Sequence, residues 1–233
     1  MNLHKKILCT AGVALLLSST GLVAADKSAR DILNNAYQYM GSMDKYSFTA
    51  NIVDSEGENT KAHNHTAIVK IDRPNKFRVD TTGTVKNRTN YLNDGSFTMI
   101  DHNYNYYGQI KTPKTIDGSL DMLFEKFGIR APLAQLMYSD MSKRVKFKTG
   151  KYFGTKIVAG VECDYVAFKN GTRQIHAWIA TGDKPLVKAY SIIDTESRIN
   201  TTVNWNTNAN ISDSDFVFEA PKGASKISVN RSK

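Results

Sequence analysis

The sequence predicts an α+β fold in which a strongly curved antiparallel sheet dominates and a few helices cover its apolar face. Three observations predict it. Apolar and polar residues alternate with period two through roughly ten segments bounded by turn residues. An amphipathic helical pattern precedes the first of these segments, and a second helical pattern interrupts them near the middle of the chain.

Residues 27–41 carry Ala29, Ile32, Leu33, Ala36, Tyr37 and Met40 at spacings of three and four, with Gly41 as a stop. Tyr46, Phe48, Ala50 and Ile52 then share one face of a strand, and residues 54–60 form a polar turn. Ala67, Val69 and Ile71 line a second strand. Arg73-Pro74-Asn75 breaks it, because proline cannot donate to a ladder. Phe77, Val79 and Thr81 begin a third. Residues 86–92 and 96–101 read as a hairpin across Asn93-Asp94-Gly95. A tyrosine-rich strand follows at 104–110.

The period then changes. Ile116, Leu120, Leu123, Phe124 and Phe127 follow helical spacing, with Asp117 placed to cap and Gly128 to end the segment. Leu133, Leu136 and Met137 predict a short helix started by Pro132. Strands resume at about 143–149, 155–169, 173–180, 186–194 and 198–206, with a last one at 215–219. Alternating faces, rather than continuous apolar runs, fit an antiparallel sheet with one wet side. That many twisted strands curl into a barrel or a strongly bent sheet. The helices at 27–41 and 117–138, lying inside the curve, would plug it like a removable lid.

Residues 1–25 read as a cleaved secretory signal peptide. Lys5 and Lys6 supply the positive start, Ile7 to Leu17 the apolar run, and Val23-Ala24-Ala25 the cleavage site. Residues 26–233 are then expected to form one exported domain. The apolar run is shorter than the roughly 20 residues a spanning helix needs. Cys163 is the one cysteine beyond the signal, so no internal disulfide is expected. The formal net charge of +9 permits transient contact with an anionic membrane surface. Its lysines and arginines are scattered, which argues against a nucleic-acid partner.

No nucleophile elbow, zinc-protease helix or phosphate-cradling loop occurs, and no cofactor is implied. His63 and His65, two apart on a strand, could join His102 in a metal site, which keeps a metal-dependent hydrolase as a weaker alternative. The aromatics and methionines are the stronger signal. Phe48, Phe77, Phe97, Met99 and Trp178 on strands, with Leu120, Leu123, Phe124 and Leu136 on helices, either fill a core or line a cavity for apolar chains.

Four segments carry a family resemblance: Tyr46-Ser-Phe-Thr-Ala50, Arg73-Pro-Asn-Lys-Phe-Arg78, Asn93-Asp-Gly-Ser-Phe97 and Phe216-Val-Phe-Glu-Ala-Pro-Lys-Gly223. In order and spacing the chain resembles the LolA/LolB lipoprotein-carrier superfamily. Gly160-Val-Glu-Cys-Asp-Tyr165, with Trp178 and Pro185-Leu186, is most similar to an uncharacterised periplasmic branch of it, a domain of unknown function. The resemblance implies an open, unclosed β-barrel wrapped over helices, with a cavity for acyl chains. Its implied partners are a lipid or a lipid-modified protein, and no enzymatic activity is implied. It also implies that Arg73 holds the helical lid closed by donating to backbone carbonyls; the alternative is a turn residue at a strand end. A cavity filled by its own side chains would instead make the same sheet a docking module for an envelope protein.

Overall fold

The computed structural model describes residues 28–56, 61–129, 131, 133–147 and 149–232. The proposed signal peptide and Pro132 lie outside the described residues. Helix α1 (Ala29–Ser42) opens the fold, with Ser28 Oγ accepting from the Asp31 amide at its start. Six strands follow: β1 (Lys45–Glu56), β2 (His63–Asp72), β3 (Lys76–Gly83), β4 (Asn87–Asn93), β5 (Ser96–Asp101) and β6 (Tyr106–Lys111). A helical insertion comes next. It comprises α2 (Ile116–Phe127), a 3-10 turn (Ala134–Leu136) and α3 (Met141–Arg144). Then come β7 (Thr149–Val158), β8 (Val161–Asn170), β9 (Arg173–Ala180), β10 (Val187–Ile193) and β11 (Ser197–Asn206), a second 3-10 turn (Asp213–Phe216) and β12 (Ser225–Ile227).

All twelve strands belong to one sheet in the order β12-β6-β5-β4-β3-β2-β1-β11-β10-β9-β8-β7. The ends, β12 and β7, do not pair, so the barrel is open. Every neighbour pair is antiparallel except β12 with β6. The chain forms two meanders that meet where β1 pairs β11, with Ala50 opposite Val203. One hydrophobic cluster joins the inner faces of both meanders to α1 and the insertion.

Local chemistry explains most boundaries. Thr115, not Asp117, caps α2 by accepting from the Gly118 amide, and Gly128 ends it at φ +64°, a left-handed conformation glycine adopts without a Cβ penalty. Three expectations change. Residues 143–144 finish a helix rather than start a strand. The predicted strand at 155–169 is the β7–β8 hairpin, turning at Ala159 and Gly160, which both have positive φ. The predicted strand at 215–219 is a 3-10 turn running into extended chain. Ser212 and Asp215 cap that turn reciprocally, which satisfies the donors a strand would have given to a neighbour.

The segment after β11 crosses the outer face of the first meander. Phe218 packs between Tyr91 and Tyr107, 5.6 and 5.0 Å between centroids, and Asp213 pairs with Lys76 at 2.6 Å. Among the described residues no helix is long and apolar enough to cross a membrane.

Candidate functional site

Strand register places the inner face of the first meander in rungs. Tyr46, Ile71, Phe77, Leu92 and Phe97 form the first. Phe48, Val69, Val79, Asn90 and Met99 form the second, and Ala50, Ala67, Thr81, Arg88 and Asp101 the third. Ile52, His65 and Gly83 begin the fourth. Residues two apart on a strand point to the same side, about 7 Å between rungs. Gly83 is required where it stands: a Cβ there would sit 2.5 Å from the His65 Cβ.

Between this wall and the insertion lies a hollow of about 180 Å³. Phe77, Val79, Phe97 and Met99 line it from the sheet, and Leu120, Leu123, Ile129, Leu133 and Met137 from the insertion. His65, Thr81, Lys86, Arg88 and Asn90 line its other end. A second hollow of about 320 Å³ lies against the same insertion, lined by Leu120, Leu123, Phe124, Ile129, Ala134 and Tyr138. Leu120, Leu123, Ile129 and Ala131 border both, so the insertion is the partition between them.

The predicted lining residues divide. Phe77, Phe97, Met99, Leu120 and Leu123 border the first hollow and Phe124 the second. Phe48 and Leu136 are buried in the core, Phe48 against Trp205 at 4.8 Å. Trp178 lies on the opposite face of β9 from the core residues Ala177 and Ile179, and stacks on Tyr165. Val79 shares a strand face with Phe77, so alternation could have found it. Ile129 and Leu133 follow the end of α2, where no periodicity marks them.

Arg73 is 8% exposed in its side chain and sits between α1 and α2. Its Nε donates to the Met43 carbonyl at the end of α1, and its Nη2 to the Tyr46 hydroxyl, both at 3.0 Å. The insertion is reached through Tyr46, whose hydroxyl donates to the Leu136 carbonyl at 3.0 Å. Asp117, 4.0 Å from Arg73, accepts from the Ser139 amide at 3.0 Å. The arginine thus contacts α1 at Met43 and the insertion at Asp117 of α2, and reaches Leu136 through Tyr46 of β1. Burial pushes the Tyr46 phenol up to about 12, the Arg73 guanidinium opposing it only in part.

The histidines do not assemble. His63 and His65 share the inner face of β2, whereas His102 Nε2 meets the Thr89 hydroxyl at 2.8 Å on the other side of β4. Among the described residues no cluster of three His, Cys, Asp or Glu could hold a metal ion. Cys163 is buried, which pushes its thiol up and away from reactivity.

Several solved structures are similar to this one. An uncharacterized conserved protein from Thermus thermophilus has 10% sequence identity and a TM-score of 0.53, covering 87% of this chain and 99% of that one. Lipoprotein LppX from Mycobacterium tuberculosis has 9% identity and a TM-score of 0.46, covering 79% and 98%. A LolA superfamily protein from Nitrosomonas europaea has 8% identity and a TM-score of 0.40, covering 82% and 98%. No curated protein matches the sequence. The family model described as "Predicted periplasmic protein (DUF2092)" matches residues 29–230, nearly all that follows the proposed signal peptide. The open twelve-stranded sheet, the helices beneath it and this match agree with the branch its segments resembled: the chain belongs to the DUF2092 family of periplasmic proteins.

Proposed function

We propose that this protein is a non-enzymatic periplasmic carrier or binding protein for a lipid, a lipoprotein acyl chain or a similar apolar ligand. The supporting observation is the hollow beneath the first meander, walled by Phe77, Val79, Phe97 and Met99 and roofed by Leu120 and Leu123. Burying acyl chain there is worth about 0.8 kcal/mol per CH₂. The hollow of about 180 Å³ is close to the cavity of roughly 150 Å³ that takes a benzene ring. It therefore holds the end of a chain, and a longer chain needs the insertion to move aside. Movement would merge the two hollows that the insertion separates.

In this reading Arg73 and Tyr46 set how firmly the lid closes. Protein purified from its native envelope should carry lipid detectable by mass spectrometry, and Arg73→Leu should change how much it retains. Protein that carries none, and takes up none from micelles, would end the carrier reading.

One feature favours a second reading, an interaction module for an envelope protein. On the outer face Phe153, Tyr165 and Trp178 stack at 4.9 and 4.8 Å across β7, β8 and β9, at the edge of the sheet. A single stoichiometric protein partner, bound without lipid and lost on Trp178→Ala, would favour that reading.

A further inference from the structure

The rungs beneath the first meander change character along the strands. The first is buried throughout, and where it lines the hollow, at Phe77 and Phe97, it is apolar. The third holds Thr81, Arg88 and Asp101, and the fourth His65. First to fourth spans six residues, about 20 Å. At the polar end the Lys86 and Arg88 side chains are 38% and 44% exposed. The hollow is thus amphipathic along the strands, apolar at the buried first rung and polar where these side chains reach solvent.

His65 is the second, independent observation. It is 7% exposed, it lines the hollow, and its Nδ1 has no hydrogen-bond partner among the described residues. A buried polar atom without a partner is costly, and native structures rarely leave one. Gly83 opposite it allows the strands this close approach. Burial, then the Lys86 ammonium, hold the imidazole below its ordinary value, so it is neutral at neutral pH.

The charges at the mouth are balanced. Lys86 lies 3.6 Å from Asp54, and Arg88 Nε lies 2.9 Å from Asp101. An anionic head would compete with a carboxylate for each cation, and a cationic head would meet two cations. A head of zero net charge that both donates and accepts hydrogen bonds matches this set.

We propose that the hollow binds an amphiphile in one orientation. Its tail lies toward Phe77 and Phe97, and its head, of zero net charge, rests at the mouth bonded to His65 Nδ1. This rests on the carrier reading and adds to it a direction and a class of head group. Hydroxyl-bearing heads and zwitterionic phosphate heads share the chemistry, and the probes below separate them.

The test is calorimetric titration of the full mature chain with probes of one tail length. These are a monoacylglycerol, a lysophosphatidylethanolamine, a lysophosphatidylglycerol, an alkyltrimethylammonium and a headless alkane. The wild-type protein should bind the first two more tightly than the two charged probes, and whichever of the first two binds tighter identifies the source. His65→Leu should weaken the preferred headed probe by about tenfold, the size of one hydrogen bond. It should leave the headless alkane unchanged, which also shows that the variant is folded. Equal loss or no loss across headed and headless probes overturns the orientation while leaving the carrier reading standing. Tightest binding of a charged probe overturns the head-group class. No binding of any probe, the alkane included, overturns both.

Discussion

The two meanders of this sheet are built by the same alternation yet covered in different ways. Beneath β7–β11, α1 buries Ala29, Leu33, Ala36, Tyr37 and Met40, and Phe147 stacks on Phe168 at 4.5 Å. The helix is held along its apolar stripe, with a hollow of about 220 Å³ beside Leu33, Phe147 and Phe168 and the stripe filled at Ala36, Tyr37 and Met40. Beneath β1–β6, α2 is held by hydrogen bonds at its two ends, and the insertion again at Leu136. The Ile116 amide donates to the Pro74 carbonyl at 2.8 Å, Tyr46 reaches Leu136, and the Ser232 amide donates to the Lys126 carbonyl at 2.9 Å. Between those ends Leu120 and Leu123 face the hollow. Along α2, Leu120 and Leu123 therefore border empty space, whereas Ala36, Tyr37 and Met40 of α1 are buried against the core. The junction between the two is tight: a Cβ on Gly41 of α1 would sit 2.2 Å from the Ser139 carbonyl oxygen.

The largest expected effect tests this contrast directly. Met40→Ala should cost about 2–5 kcal/mol, as deletions in a filled core do. Leu123→Ala, beside space already empty, should fall at or below the bottom of that range. Urea unfolding of the two variants measures it, and equal losses would erase the distinction between the two covers.

Next in size is an alkaline transition. Tyr46 is fully buried, and its phenol is raised from 10.0 to about 12. The folded state therefore disfavours ionisation. The associated stability is present below pH 10 and is lost as pH rises towards 12, about 3 kcal/mol in all. Unfolding free energy measured across that window should fall more steeply for the wild type than for Tyr46→Phe. At neutral pH the same variant should lose about 1–3 kcal/mol, because the buried Leu136 carbonyl loses its donor.

The smallest effect is the control. Lys114 and Asp94 pair at 3.6 Å with side chains 78% and 54% exposed. Lys114→Ala should change stability by no more than about 1 kcal/mol. A larger loss, read by the same urea unfolding, would mean that the turns beside α2 contribute to closing the cover.

Much of the fold was legible because solvent imposes a period. Tyr46, Phe48, Ala50 and Ile52 alternate because one side of β1 faces the core and the other faces water. Asn93-Asp94-Gly95 marked its turn because Asp94 and Gly95 adopt positive φ there. The turn at Ala159 and Gly160 was hidden, since alanine rarely takes such a conformation and gave no warning. Phe216 and Phe218 imitated a strand, although Phe216 is buried and Phe218 packs across the outer face of β4 and β6.

Residue order alone established the β-rich architecture, the inward face of β1 to β3, and the family, because local periodicity and short motifs encode all three. Folding in three dimensions chose which inward residues meet one another and which meet a void. Phe48 and Phe77 carry the same pattern, yet one packs on Trp205 and the other borders the hollow. That choice depends on the partner each meets, Trp205 of β11 or the helical insertion, and such a partner lies far away in sequence.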